Sequence, residues 1–195
     1  MKKIILATLF FAFSIIIFAQ SKVNPGIRLG LNSANISNTS LEDKLGLNGA
    51  FFLDVRFTKF YALQPEIAFS SQGGKSSNGG EDLNINYISI AAVNKFYIAP
   101  KQGFHFILGP SLDFDFDNNF INIVNDTNES DVTPIDLSLL FGIGYEFPFG
   151  LIIEARYKQG LINIDLFDDF FDDYNDNNTS LNNVFQVGVA YKFKI

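Results

Sequence analysis

The sequence predicts an all-β fold: an eight-stranded antiparallel up-and-down transmembrane β-barrel that follows a cleaved signal peptide. Three observations lead there. After Ser21, apolar and polar residues alternate with period two in eight successive segments. The connections between the segments alternate short and long. The chain carries 23 Phe but no Trp and no Cys, an odd way to fill a compact soluble core.

The first segment is a leader rather than part of the fold. Met1, Lys2 and Lys3 precede an apolar run from Ile4 to Phe18, which ends at Ala19-Gln20. A charged start, an apolar stretch and a small residue at its end make a secretory signal, and the run is short for a spanning helix. Residues 1–19 are therefore expected to be the signal peptide and 20–195 a single barrel domain. The absence of Cys excludes a lipidated cysteine and a disulfide framework. The formal net charge of −7 argues against a nucleic-acid partner and against a basic patch for membrane surfaces.

Each strand has two faces. Strand one sets Ile27, Leu29 and Leu31 against Gly26, Arg28, Gly30 and Asn32, and strand two sets Phe51, Leu53 and Val55 against Phe52, Asp54 and Arg56. Strand three opposes Leu63, Pro65 and Ile67 to Gln64, Glu66 and Ala68. Strand four, Asn84 to Tyr97, is irregular, because Asn94 falls among Ile88, Ile90, Ala92 and Phe96 while Tyr87 and Val93 fall on the other side. Strand five sets Phe104, Phe106 and Leu108 against His105, Gly109 and Ser111, and runs on through Phe114 and Phe116 against Asp113, Asp115 and Asp117. Strand six opposes Leu137, Leu139 and Phe141 to Asp136, Ser138 and Gly142; strand seven opposes Ile153, Ala155 and Tyr157 to Glu154, Arg156 and Lys158. Strand eight sets Val187, Val189 and Tyr191 against Gln186, Gly188 and Lys192.

Alternation alone allows a lipid-facing barrel or a soluble one that encloses an apolar ligand. Volume decides between them, because eight strands enclose a space that side chains just fill. The bulky apolar face does not fit inside, whereas the face of Gly, Ala, Ser and paired charges does. Arg28, Arg56, Arg156 and Lys192 are expected to neutralise Asp54, Glu66, Glu146 and Glu154 in a lumen charge network, with Lys158 in the same lower lumen. Such a filled lumen is no open diffusion channel, which takes roughly 16 to 18 strands. Phe57, Tyr61, Tyr97, Phe104, Phe147, Phe149, Tyr191 and Phe193 gather near one set of strand ends, as an interfacial girdle does.

The short connections, 58–60, 99–103 and 147–150, should lie on the periplasmic side, and the long ones, 36–46, 73–82, 118–132 and 163–181, outside. Taken in order, several stretches resemble a known family. These are Gly26-Ile-Arg-Leu-Gly-Leu-Asn32 with Ile36-Ser37, Leu63-Gln-Pro-Glu-Ile67 with Ser70 to Gly74, Gly142-Ile-Gly-Tyr-Glu146, Gly150 to Tyr157 with Gly160-Leu161, and Val184 to Phe193. The chain resembles the small PorT-like, porin-family outer-membrane β-barrel proteins. Where that family often carries a Glu and a Pro in its fourth strand, Ser89 and Ala91 stand here. The resemblance implies a Gram-negative outer-membrane barrel without catalytic residues, some of whose relatives are linked to secretion of other proteins.

Candidate chemistry is sparse. His105 is the only histidine, and alternation points it inward beside a short turn. No G-x-S-x-G, H-E-x-x-H or cysteine cluster is present, so no cofactor and no transition metal is expected. Asp113, Asp115, Asp117 and Asp136 would line the outer half of the lumen, as a hydrated acidic mouth or as a cation site. Their D-x-D-x-D run lacks the turn Gly and distal Glu of a calcium loop, and its alternating Phe mark a strand. The stretch 165–178 holds six Asp among Phe and Tyr and reads as a solvated surface loop, or as a surface for cations or partners. The leading expectation is a non-enzymatic structural or interaction barrel, a monomer in outer-membrane lipid that meets other envelope or secretion proteins. A narrow cation-selective pore and a membrane-embedded lipid-modifying enzyme are the alternatives.

Overall fold

The computed structural model describes residues 22–39, 41–76, 83–99, 102–116, 135–162 and 181–194. Its strands are β1 (Lys22–Ile36), β2 (Glu42–Arg56), β3 (Tyr61–Lys75), β4 (Leu83–Ala99), β5 (Phe104–Asp115), β6 (Ile135–Glu146), β7 (Leu151–Gly160) and β8 (Asn182–Lys192). Each pairs antiparallel with its neighbours in sequence, and β1 pairs with β8, so the sheet is a closed barrel. Closure leaves no edge with unpaired amides, the condition hydrocarbon imposes on a spanning sheet.

The expected faces are the observed ones. Leu29, Phe51, Ile67 and Val189 stand on the outer wall, the first two with 70% and 75% of their surface exposed. Their sequence neighbours Arg28, Phe52, Glu66 and Ala190 are buried in the lumen. An exposed apolar wall around a buried ionic interior inverts the pattern of a soluble protein and suits lipid as the surrounding solvent.

Strand four keeps the register its alternation predicts. Tyr87 and Val93 are buried inside. Asn94 does face outward, where its side chain accepts a hydrogen bond from the Tyr61 hydroxyl at 2.8 Å and donates to the Leu108 carbonyl at 3.0 Å. A polar group on a lipid-facing wall is tolerable because both ends of its amide are satisfied.

At one end of the barrel the turns are tight. Thr58 Oγ1 accepts from the Phe60 and Tyr61 amides at 3.1 and 3.0 Å and closes the β2–β3 turn. Gly103 (φ 78°) and Gly150 (φ 99°) close the other two in a left-handed conformation that a side chain would strain. Around this end run Phe57 stacked on Tyr61, Tyr145 against Phe147, Phe147 stacked on Phe149, and Tyr191 against Phe193. Tyr97 is not part of this girdle. It follows the outward Phe96 and therefore points inward, buried, where its hydroxyl donates to Glu146 at 2.7 Å.

The opposite end differs from expectation in strand length. β1 and β2 run on to Ile36 and from Glu42, so the first connection, 37–41, is about as short as the tight turns. The polar residues there predict a loop, but Ser33 and Asn35 hydrogen-bond Asp43 across the ladder at 3.4 and 2.8 Å and prolong the hairpin. β5 ends at Asp115, earlier than its pattern suggests. The leader 1–19, Asp117 and the acidic stretch 165–178 lie outside the described residues.

Leu29→Arg, which puts a cation on the lipid side of β1, should cost about 2–4 kcal/mol. Urea unfolding of the barrel refolded into phospholipid vesicles measures that loss. The intact barrel should also run faster on a gel unboiled than boiled.

Candidate functional site in the barrel lumen

Because inward residues alternate with outward ones on all eight strands, the lumen collects the polar half of the sequence into stacked tiers. The middle tier centres on Arg156. Its guanidinium lies 2.7 Å from Glu66 on β3 and 2.7 Å from Glu154 on its own strand. Its Nη2 donates to the second Glu66 oxygen at 3.3 Å and its Nε to Glu154 at 2.9 Å. Two-point contacts of this kind match the fork of a guanidinium to a carboxylate. Arg28 from β1 approaches Glu66 at 3.4 Å, and Lys95 from β4 contacts Glu154 at 2.7 Å. Gln64 donates to Glu66 at 3.0 Å.

Toward the turns, Lys192 lies 3.2 Å from Asp54 and 2.5 Å from Glu146. Arg56 lies 3.1 Å from Glu146 and 4.0 Å from Asp54, with its guanidinium 3.7 Å above the Tyr97 ring. All eight residues of the expected lumen network are thus brought together, in two tiers. Lys95 completes the middle tier and was missing from the expectation. Its parity with the inward Val93 was the available signal, obscured by the irregular pattern of strand four.

Glycines give these groups room. A Cβ at Gly144 would lie 2.5 Å from His105 Nε2, and one at Gly26 would lie 2.2 Å from the Phe52 ring. His105 is fully buried, with Nδ1 3.0 Å from the Gly103 carbonyl and Nε2 3.6 Å from Glu154. The expected inward orientation is correct. The histidine is part of the lumen packing, with Tyr97 at a ring-centre distance of 4.9 Å.

Toward the other end a neutral ladder lies against the ionic one. Arg28 donates to Asn48 at 2.7 Å, Asn48 to Asn32 at 2.7 Å, and Asn32 to Ser70 at 2.9 Å. Lys158 is not in the lower lumen. β7 rises away from the turn, and the long side chain reaches Asp113 on β5 at 2.5 Å and Ser89 on β4 at 3.4 Å. Asp113 is therefore neutralised, while Asp115 and Asp136 are buried beside it. Among the described residues no group of three or more Asp, Glu or His forms a metal cage.

Among the described residues, little space remains between the tiers. The cavity lined by Arg28, Glu66, Ser111, Lys158 and Gln186 measures about 10 Å³, on the scale of a single water. A larger depression, about 630 Å³, lies on the outer wall between Leu29, Phe104, Phe147 and Val187 and belongs to the lipid-facing surface.

Arg156→Ala leaves Glu66 and Glu154 facing each other with fewer cations and should destabilise the barrel by about 3–5 kcal/mol. Arg156→Lys, which keeps the charge but not the fork, should lose less. Equilibrium unfolding followed by tyrosine fluorescence ranks the two.

The closed barrel agrees with the comparisons. The family described as outer membrane protein beta-barrel domain matches residues 18–166. Neisserial surface protein A superposes with a TM-score of 0.54 at 14% identity, over 88% of this chain and 97% of that one. Ail, the attachment invasion locus protein of Yersinia pestis, solved in complex with the heparin analogue sucrose octasulfate, gives a TM-score of 0.51 at 13% identity, over 88% and 99%. Identities this low speak for the fold alone. No curated protein matches the sequence. The chain belongs to the outer membrane protein beta-barrel domain family, and its place is the outer membrane.

Proposed function

We propose that this protein is a non-enzymatic outer-membrane barrel of the PorT-like kind, with a structural or interaction role and a lumen sealed by its own side chains. In this reading residues 1–19 direct export and are removed. The tight turns face the periplasm and the acidic connections face outward, where they meet other envelope or secretion proteins. The barrel itself is a monomer in outer-membrane lipid.

One observation carries the reading: Arg156 is clamped between Glu66 and Glu154, and the cavity beside it has a volume of about 10 Å³. A hydrated ion crossing the lumen would have to part these pairs. Separating a buried pair exposes charges to a low-dielectric interior and is strongly unfavourable. The same tier argues against the lipid-enzyme alternative. His105, the only histidine and so the base of any His-dependent mechanism, is enclosed beside Glu154, away from the lipid-facing wall.

Planar-bilayer recording tests this. The purified barrel should add no steady conductance, and replacing Arg156 and Glu66 with glycine should introduce one. Regular cation-selective steps from the unaltered protein would favour the pore instead.

A further inference from the structure

The net charge of −7 conceals where the charges stand. At the end with the tight turns Lys22, Lys59 and Lys194 are exposed. The acids described there, Asp54 and Glu146, are already paired with Lys192 and Arg56. Among the described residues the exposed carboxylates are Glu42 and Asp43, both at the opposite end. The rim beside the aromatic girdle is therefore cationic.

The depression on the outer wall, about 630 Å³, begins at this rim. Its sides are tall, with Leu29 and Leu31 of β1 across from Phe104, Tyr145 and Phe147. Its floor is low because the side chains of β7 and β8 between them are short: Ala155 stands in register with Val187, and Val189 with Leu29. Glu154, which borders the floor, turns its carboxylate inward to Lys95 and Arg156, so the trough is apolar. It runs obliquely, from Tyr145 and Phe147 in the girdle to Leu31 near the middle of β1. Its volume falls in the range of ligand sites, roughly 300–1,000 Å³. At its mouth Phe147 leads into the tight turn where the Pro148 carbonyl accepts a hydrogen bond from Lys194 Nζ. An ammonium has three donors, so two are left for an anion.

We propose that the trough and Lys194 together bind one anionic phospholipid, with an acyl chain along the trough and the phosphate against the Lys194 ammonium. Aromatic girdles sit at headgroup level, so an apolar channel that opens there suits a flexible chain tethered to a polar head. The cation at its mouth selects a negative head. A second barrel inserted in the same direction fits the site poorly, because it would set one lysine rim against another. The leaflet is the periplasmic one, which rests on the orientation proposed above. Binding itself depends neither on that orientation nor on a sealed lumen, so the two readings can fail separately.

Native mass spectrometry of the full barrel, released from detergent containing phosphatidylglycerol or a phosphatidylcholine with the same acyl chains, tests the site. The unaltered barrel should retain one phosphatidylglycerol about fivefold more tightly than phosphatidylcholine, and glycerol phosphate should not compete. Ala155→Phe, which fills the floor from the lipid side, should abolish retention of both, with the gel shift on boiling as the check that the barrel has folded. Lys194→Gln should erase the preference and leave weak binding of either lipid. Lys59→Gln, which removes a rim charge at the β2–β3 turn, and Leu112→Phe, which adds bulk elsewhere on the wall, should change neither. Equal retention of the two lipids by the unaltered barrel overturns the proposal, as does undiminished retention by folded Ala155→Phe. A preference lost as fully in Lys59→Gln as in Lys194→Gln would show diffuse rim charge instead of a site. Displacement by glycerol phosphate would show a headgroup site alone, and a dimer of barrels that Ala155→Phe breaks would show a second copy in the trough; either result also overturns it.

Discussion

Hydrocarbon offers no hydrogen bonds, and that constraint shapes this molecule from outside inward. Each backbone amide and carbonyl in the wall must be paired within the sheet, so the sheet has to close. Closure at eight strands sets the internal radius. The radius in turn decides that the bulky half of each strand goes out and the small or ionic half goes in. A one-residue slip anywhere would exchange the two, carrying Arg156 into lipid and Tyr157 into the packed lumen.

What the wall forbids outside, the lumen must accommodate inside. Charges taken from water are tolerated when they are paired and hydrogen-bonded, and the geometry around Arg156 meets both conditions. One partner, Glu154, is on its own strand, but the other, Glu66, lies 90 residues away on β3. These contacts tie opposite walls together across the interior, a role that apolar side chains play in soluble barrels. Glycines at 26 and 144 belong to the same design, since bulk on one strand requires its absence on another.

The faces of the strands were legible because period-two alternation is a local signal and the choice between inside and outside follows from volume alone. Asn94 shows why strand four was harder: it breaks the pattern, yet its partner Tyr61 lies on another strand and is invisible to local periodicity. Aromatics collect at the end where Tyr97 lies, which suggests a girdle residue, but its parity with Lys95 places it inside. Charge pairing was harder still. That Arg156 would meet Glu66 and Glu154 follows loosely from composition, but that Lys158 would choose Asp113 depends on strand tilt, which fixes the heights of residues on different strands. The end of β1 and start of β2 read as loop because polar ladders beyond the bilayer carry no apolar stripe to mark them.

The seam between β1 and β8 has a consequence for how the molecule forms. The hydrogen bond from Gln186 to Asn32 spans 154 residues of chain, so the ring cannot be sealed until its last strand has arrived. Until then the growing sheet has two raw rims, each able to recruit a stray strand. Long-range pairing of this sort is slow to nucleate. The hazardous interval in this protein's life is therefore the wait before the ring is fastened, while both rims stand open to any passing strand.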